Sequence, residues 1–128
     1  MSQWNPGDLV RVSYKTGEYI AEVLEVQEPK LLVKIVAVLT FPTQGDLHNP
    51  YEVDVPLFHQ RRALSYQEKI MVPTQTVRPY HGNVPDYKQS LQKALQTEID
   101  KLQKMMKWAE RSLHELEQVQ KETFTNQP

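Results

Sequence analysis

Residues 8–26 read DLVRVSYKTGEYIAEVLEV. In DLVRVSYK, Leu9, Arg11 and Ser13 alternate with Val10, Val12 and Tyr14, the period of two that marks a half-buried strand. Thr16-Gly17 supplies a turn and EYIAEVLEV resumes the extended pattern, so the segment predicts a β-hairpin. QEPK (27–30) makes the next turn, and LLVKIVAVLTF (31–41) is rich enough in Val, Ile and Leu to be a central strand with both faces largely covered, Lys34 snorkelling from it. Two further strands are expected in YEVDVPLFH (51–59) and RRALSYQEKIMV (61–72). Pro56 and Pro73 must then lie at edges or bends, because proline cannot donate to a ladder. Five short strands punctuated by turns suggest a small β-barrel over residues 1–82.

The rest of the chain follows other rules. All four glycines and eight of the nine prolines precede Asp86, leaving 86–127 free of both. Asp86 is placed to cap a helix, with Gln89 three residues on in a capping-box arrangement. From there apolar residues recur at Leu95, Ile99, Leu102, Met106, Ala109, Leu113 and Leu116 in alternating steps of four and three, a heptad register. The fold class is therefore β+α, a barrel followed by a helical segment over 86–124, either one long amphipathic helix or a helical hairpin. Unbroken, it would be roughly 55 Å long, about twice the width of a barrel of some eighty residues. Such a helix folds back near KMMKW (104–108), pairs with a second copy as a homodimer through the stripe, or offers the stripe to another protein. Trp108 sits off the stripe, where a free helix leaves a large aromatic in water, and this favours the fold-back.

Composition narrows the function. Lys and Arg number 15 against 16 acidic residues, with a pI of about 6.4, so no general attraction to phosphate backbones exists. There is no cysteine, which excludes disulfides, thiolate nucleophiles and Cys-containing zinc sites, and makes the reducing cytosol the natural compartment. The N-terminus has no basic region followed by an apolar one, and the longest apolar run, IVAVL (35–39), is too short to span a bilayer. Direct membrane insertion is not expected.

The densest group of candidate residues lies in TQGDLHNPYEVDVPLFHQRRAL (43–64). Asp46, His48, Asp54 and His59 are of the types that ligate zinc or iron. Their spacing matches neither an HxxxH pair nor a facial triad, and GDLHNP is turn chemistry, so no metal is assigned. Ser65, His59 and Asp54 could be drawn as a triad, yet no GxSxG elbow accompanies them. No GxxxxGK[ST] or GxGxxG is present to cradle phosphates, and no cofactor is expected. Arg61 and Arg62, adjacent on an expected strand, point to opposite faces, so at least one is exposed or paired with a carboxylate. Exposed, it suits recognition of carboxylate or phosphate; otherwise it pairs internally with Asp46 or Asp54. His81 and His114 read as exposed polar residues.

With these stretches in view, the chain resembles the kinase-associated protein B (KapB) family of spore-forming bacteria over nearly its full length. The residues that carry the resemblance are YKTGEYIAEV (14–23), KIVAVLTFPTQGDLHNP (34–50), VPLFHQRRALSYQEK (55–69) and VPDYKQSLQKAL (84–95), with WAERSLHEL (108–116) as a weaker match. The resemblance implies an SH3-like barrel followed by helices. It also implies a non-enzymatic accessory activator of a membrane sensor histidine kinase feeding the sporulation phosphorelay, held at the inner face of the membrane through that kinase. The family has been described as a lipoprotein, but this sequence has neither signal peptide nor cysteine to acylate, so that label is read as inapplicable. The resemblance names no contact residues. From the residues themselves, Asp46, His48, Asn49, Phe58, His59, Arg61 and Arg62 form the candidate protein-binding surface. The rival reading is a nucleic-acid- or ribosome-associated SH3-like module, since small barrels beginning PGDLVRV occur there too; eight basic against nine acidic residues over 1–85 argue against it.

Overall fold

The hairpin forms as the alternation dictates. In the computed structural model, which describes residues 3–125, β1 (Leu9–Tyr14) runs antiparallel to β2 (Gly17–Gln27), with Leu9 opposite Glu22 and Tyr14 opposite Gly17. The turn is Lys15-Thr16, with Lys15 in the left-handed region at φ 55°. Gly17 instead opens β2, and for a steric reason: residues two apart on a strand share a face, and a Cβ at Gly17 would lie 2.6 Å from Tyr19 Oη.

β3 (Lys30–Thr40) pairs with β2 through three register shifts, at Glu18/Tyr19, Ile20/Ala21 and Val23/Glu25. Such bulges sharpen local twist. β4 (Lys69–Pro73) pairs with β3, a 3-10 turn follows at Thr74–Thr76, and β5 (Arg78–Pro79) pairs with β1. The sheet order is β4-β3-β2-β1-β5. The sheet is five-stranded and antiparallel but not closed, since β4 and β5 are its two edges. Its membership also differs from the expectation. Residues 51–59 form no strand, only the end of 61–72, from Lys69, is extended as β4, and the fifth strand is the two-residue β5. The reason is visible at 51–59: Tyr51 has φ 67°, Val55 N donates to Val53 O two residues back, and Tyr51, Val53, Leu57 and Phe58 are all exposed. A strand there would have no face to bury.

The main buried cluster gathers side chains from β1, β2 and β3, while Ile20 and Ala37, equally inaccessible and opposite each other in the β2–β3 register, fall outside it. Val10 and Val12 of β1, Tyr19 and Val23 of β2, and Leu31, Val33 and Ile35 of β3 are essentially inaccessible, and Trp4, Val72, Val77 and Ala94 complete the cluster.

α1 (Tyr87–Thr125) begins where Asp86 Oδ2 accepts from Gln89 N at 3.2 Å, a side-chain N-cap. The return bond from the Gln89 side chain is not made among the described residues. In the next turn the buried Ser90 Oγ accepts from Val38 N at 3.0 Å and donates to Tyr87 O at 2.7 Å, tying the helix start to β3. The described residues form two compact units that divide between Leu95 and Gln96, so these first helical turns belong with the sheet. The fold-back near 104–108 does not occur: α1 is one element of 39 residues. Lys, Met, Gln, Glu and Leu are good helix formers, and 86–127 contains neither Gly nor Pro to make a kink. Trp108 accordingly remains 72% exposed.

A stitched loop with an apolar tip

Between β3 and β4 the chain runs from Phe41 to Glu68 without regular structure, and its polar groups are satisfied by side chains as much as by backbone. Two limbs lie side by side. Gly45 N donates to His59 O at 2.9 Å, and the Gln44 side chain acts as a stand-in peptide, accepting from Arg61 N at 2.8 Å and donating to Arg61 O at 3.0 Å. Arg61 Nη2 donates back to Gly45 O at 2.9 Å. Gly45 is glycine of necessity, with φ 101° and its missing Cβ only 2.9 Å from the Phe58 ring.

The limbs are fixed to the sheet at both ends. Thr43 N donates to Thr16 Oγ1 in the β1–β2 turn at 2.8 Å. Leu64 is held by two tyrosines: its N–H donates to Tyr19 Oη at 3.2 Å, and its carbonyl accepts from Tyr87 Oη. Burial raises both hydroxyl pKa values above the ordinary 10.0, so both stay protonated and neutral over the physiological range. Tyr66 adds a tilted ring contact to Tyr87, centroids 5.6 Å apart.

Asp46 closes an Asx turn at the tip, accepting from His48 N at 2.9 Å and Asn49 Nδ2 at 3.0 Å. The Asn49 side chain, then the His48 amide, lower its pKa, so the carboxylate is charged and engaged locally. Beyond it the tip displays Tyr51 and Val53, each about four-fifths exposed, and Leu57 and Phe58, each more than half exposed. A cleft of about 340 Å³ lies nearby, lined by Tyr14, Lys15, Tyr19, Pro42, Gln60, Arg61, Arg62 and Leu64. Three of these residues are cationic and none is acidic.

All seven residues singled out from sequence thus lie in this one loop, in three different roles. Asp46, His48 and Asn49 build the Asx turn; Phe58, His59 and Arg61 meet Gly45; Arg62 is exposed and makes no ion pair among the described residues. Arg61 bonds a carbonyl, and the internal pair with Asp46 or Asp54 is not formed. Ion pairs form instead at Arg11–Glu18, Lys101–Glu98 and Arg111–Glu115. No group of three or more His, Cys, Asp or Glu among the described residues could hold a metal, and Ser65, His59 and Asp54 share no hydrogen bond. The sequence reading missed Gln44, Lys15, Tyr19 and Tyr87. Tyr19, Tyr87 and Gln44 find their partners 45, 23 and 17 residues away, and Lys15 joins them only at the cleft, so no local spacing signals these contacts.

The family model described as KapB, kinase associated protein B, matches residues 14–124. The chain is 47% identical over 129 residues to "Kinase-associated lipoprotein B" of Bacillus subtilis (strain 168), across 100% of both sequences. It is also similar to a crystal structure of kinase-associated protein B from Bacillus cereus, with 38% identity and a TM-score of 0.69 over 94% of this chain and 98% of that one.

Proposed function

Because the chain belongs to the kinase-associated protein B family, we propose that it is a non-enzymatic accessory protein that binds and activates a membrane sensor histidine kinase feeding the sporulation phosphorelay. The relatives' names, kinase-associated in each case, support a kinase as the partner. An accessory protein raises a kinase's rate by binding its autophosphorylating state more tightly than its resting state, and needs a recognition surface for that.

The observation that carries this reading is the stitched loop. Tyr51, Val53, Leu57 and Phe58 are apolar anchors of the kind that fill pockets on a partner, and aromatic anchors of this type dominate binding energy. Lys15, Arg61 and Arg62 at the adjoining cleft suit a carboxylate or phosphoryl group presented by the kinase. The five-stranded sheet, with a 3-10 turn between its last two strands, supports the SH3-like reading of the fold. The protein acts at the cytoplasmic face and reaches the membrane through its kinase; no helix among the described residues is long and apolar enough to cross one.

The test is kinase autophosphorylation in membranes carrying the sensor kinase, with and without this protein, beside a pull-down of the kinase's cytoplasmic part. Binding with a raised rate is expected, and both should fall in Leu57→Ser/Arg62→Glu, whose side chains make no hydrogen bond among the described residues. Absence of both binding and a rate change would refute the kinase role. Undiminished binding by the double variant would refute the surface.

A further inference from the structure

Residues 96–125 contain no buried side chain, although they are helical throughout. Helix in water without tertiary contact is marginal, and most helical stability in proteins comes from covering an apolar face. Here the face is present and uncovered. Ile99, Leu102, Met106, Leu113 and Leu116 are between two-fifths and three-quarters exposed, and with Ala109 they hold the a and d positions of three successive heptads. Met105 and Val119, both about half exposed, occupy the flanking g positions, and Trp108 extends the apolar surface outward on that side.

We propose that residues 99–119 of α1 form an antiparallel two-stranded coiled coil between two copies of this chain, with Met106 of each copy packed on Ala109 of the other. Three features select a second copy and set its direction. The first is charge. Around the midpoint between residues 107 and 108, Lys101, Lys104 and Lys107 outnumber Glu98 and Asp100 on the N-terminal side, while Glu110, Glu115 and Glu117 outnumber Arg111 on the C-terminal side. An antiparallel pair sets each basic half beside the other copy's acidic half, twice over; a parallel pair sets like beside like.

The second is size. With the helices reversed about that midpoint, a residues face d residues whose numbers sum to 215. Ile99 then meets Leu116, Leu102 meets Leu113, and the bulky Met106 meets the small Ala109, so the outer layers match in volume and the central layers each pair a large residue with a small one. A parallel in-register pair would put two Met106 side chains in one layer and two Ala109 in another, one crowded and one under-filled.

The third is the flanks. Reversal brings Gln103 beside Glu110 of the second copy on one side, and Met105 beside its Ser112 on the other. Neither side juxtaposes like charges.

Sedimentation of the full chain across a concentration series tests self-association without any kinase present. A monomer–dimer equilibrium is expected, and Met106→Glu/Leu113→Glu should raise its dissociation constant about a hundredfold or more by burying unpaired carboxylates, while Trp4 emission, read in a Trp108→Phe background, is unchanged. A chain that stays monomeric throughout, or a dimer indifferent to the double substitution, would overturn the proposal. Orientation is read separately, and easily, because the chain has no cysteine. Mixed Gln103→Cys and Glu110→Cys proteins should be linked by a short bis-maleimide, and mixed Met105→Cys and Glu110→Cys proteins should not. The opposite pattern would leave a dimer but refute its antiparallel register. Loss of kinase pull-down by Met106→Glu/Leu113→Glu in a chain that is always monomeric would assign the stripe to the kinase instead.

Discussion

Substituting Gly17 by alanine probes how the sheet holds the loop. The added Cβ would stand 2.6 Å from Tyr19 Oη and 2.9 Å from Cζ, closer than such contacts ever come, and Tyr19 is 1% exposed with its hydroxyl held by Leu64 N. Over-packing of this kind costs about 1–3 kcal/mol. If the hydroxyl yields, its bond from Leu64 N is weakened or lost, adding about 1 kcal/mol. Lower entropy of the unfolded chain returns about 0.4–1 kcal/mol. The net expectation is a destabilisation of about 2 kcal/mol, the overpacking and the weakened hydrogen bond less the entropy returned. Tyr19→Phe alone should cost about 1 kcal/mol, from the orphaned Leu64 amide. In the double variant the nearest atom recedes to 2.9 Å and there is no bond left to break, so the two costs should fall short of additive by about 1 kcal/mol. The assay is urea unfolding followed by tryptophan emission in a Trp108→Phe background, where the nearly buried Trp4 alone reports on the sheet. A neutral or stabilising Gly17→Ala, or strict additivity with Tyr19→Phe, would refute the placement of the tyrosine ring over the turn.

Two further outcomes are expected. Ser90→Ala removes the acceptor of the buried Val38 amide and should destabilise by about 1–3 kcal/mol, measured by the same unfolding assay, with Ser90→Thr recovering part of the loss. Between pH 8 and 11, stability should hold to about pH 9 and then decline as pH rises through the folded-state values of Tyr19 and Tyr87. Both hydroxyls have pKa values raised above 10.0 by burial, so their contribution is complete below the unfolded value and is lost above it. Urea midpoints between pH 8 and 11 check this, and the decline should be shallower in Tyr19→Phe and Tyr87→Phe.

Much of the sheet is legible in the sequence because its signals are local. The alternation in 9–14, the Val-rich run at 31–40 and the Asp86 cap each depend on neighbours within a few residues, and each appears where expected. The departures share another cause. YEVDVPLFH has β-forming residues, but propensity becomes a strand only where a sheet edge accepts it and a core covers one face, and neither is encoded in nine residues. The expected fold-back of the helix rests on the unfavourable exposure of Trp108, yet a bend needs a breaker and 104–108 has none. For the loop, sequence locates the right residues and misjudges their work. Arg61 reads as a charge awaiting a carboxylate, whereas its guanidinium clamps a glycine carbonyl sixteen residues away. Lys15 and Gln44 give no signal, because a turn lysine and a loop glutamine are ordinary until the fold brings Arg61 and Arg62 beside them.

The stitching of the loop limits the grammar by which anything can read it. At Thr43, Gly45, Arg61 and Leu64 the main-chain amides already donate inward, and the carbonyls of Gly45, His59, Arg61 and Leu64 already accept. The inward-facing groups of these limbs are thus taken, and strand addition, the most sequence-tolerant form of peptide docking, is confined to the groups that alternate with them on the outer side. At the tip the largest surface offered outward is side chain, from Tyr51, Val53, Leu57 and Phe58. Discrimination between one kinase and another would then rest on a few rings and guanidinium groups, and could shift by single substitutions at the tip while the scaffold beneath stays the same.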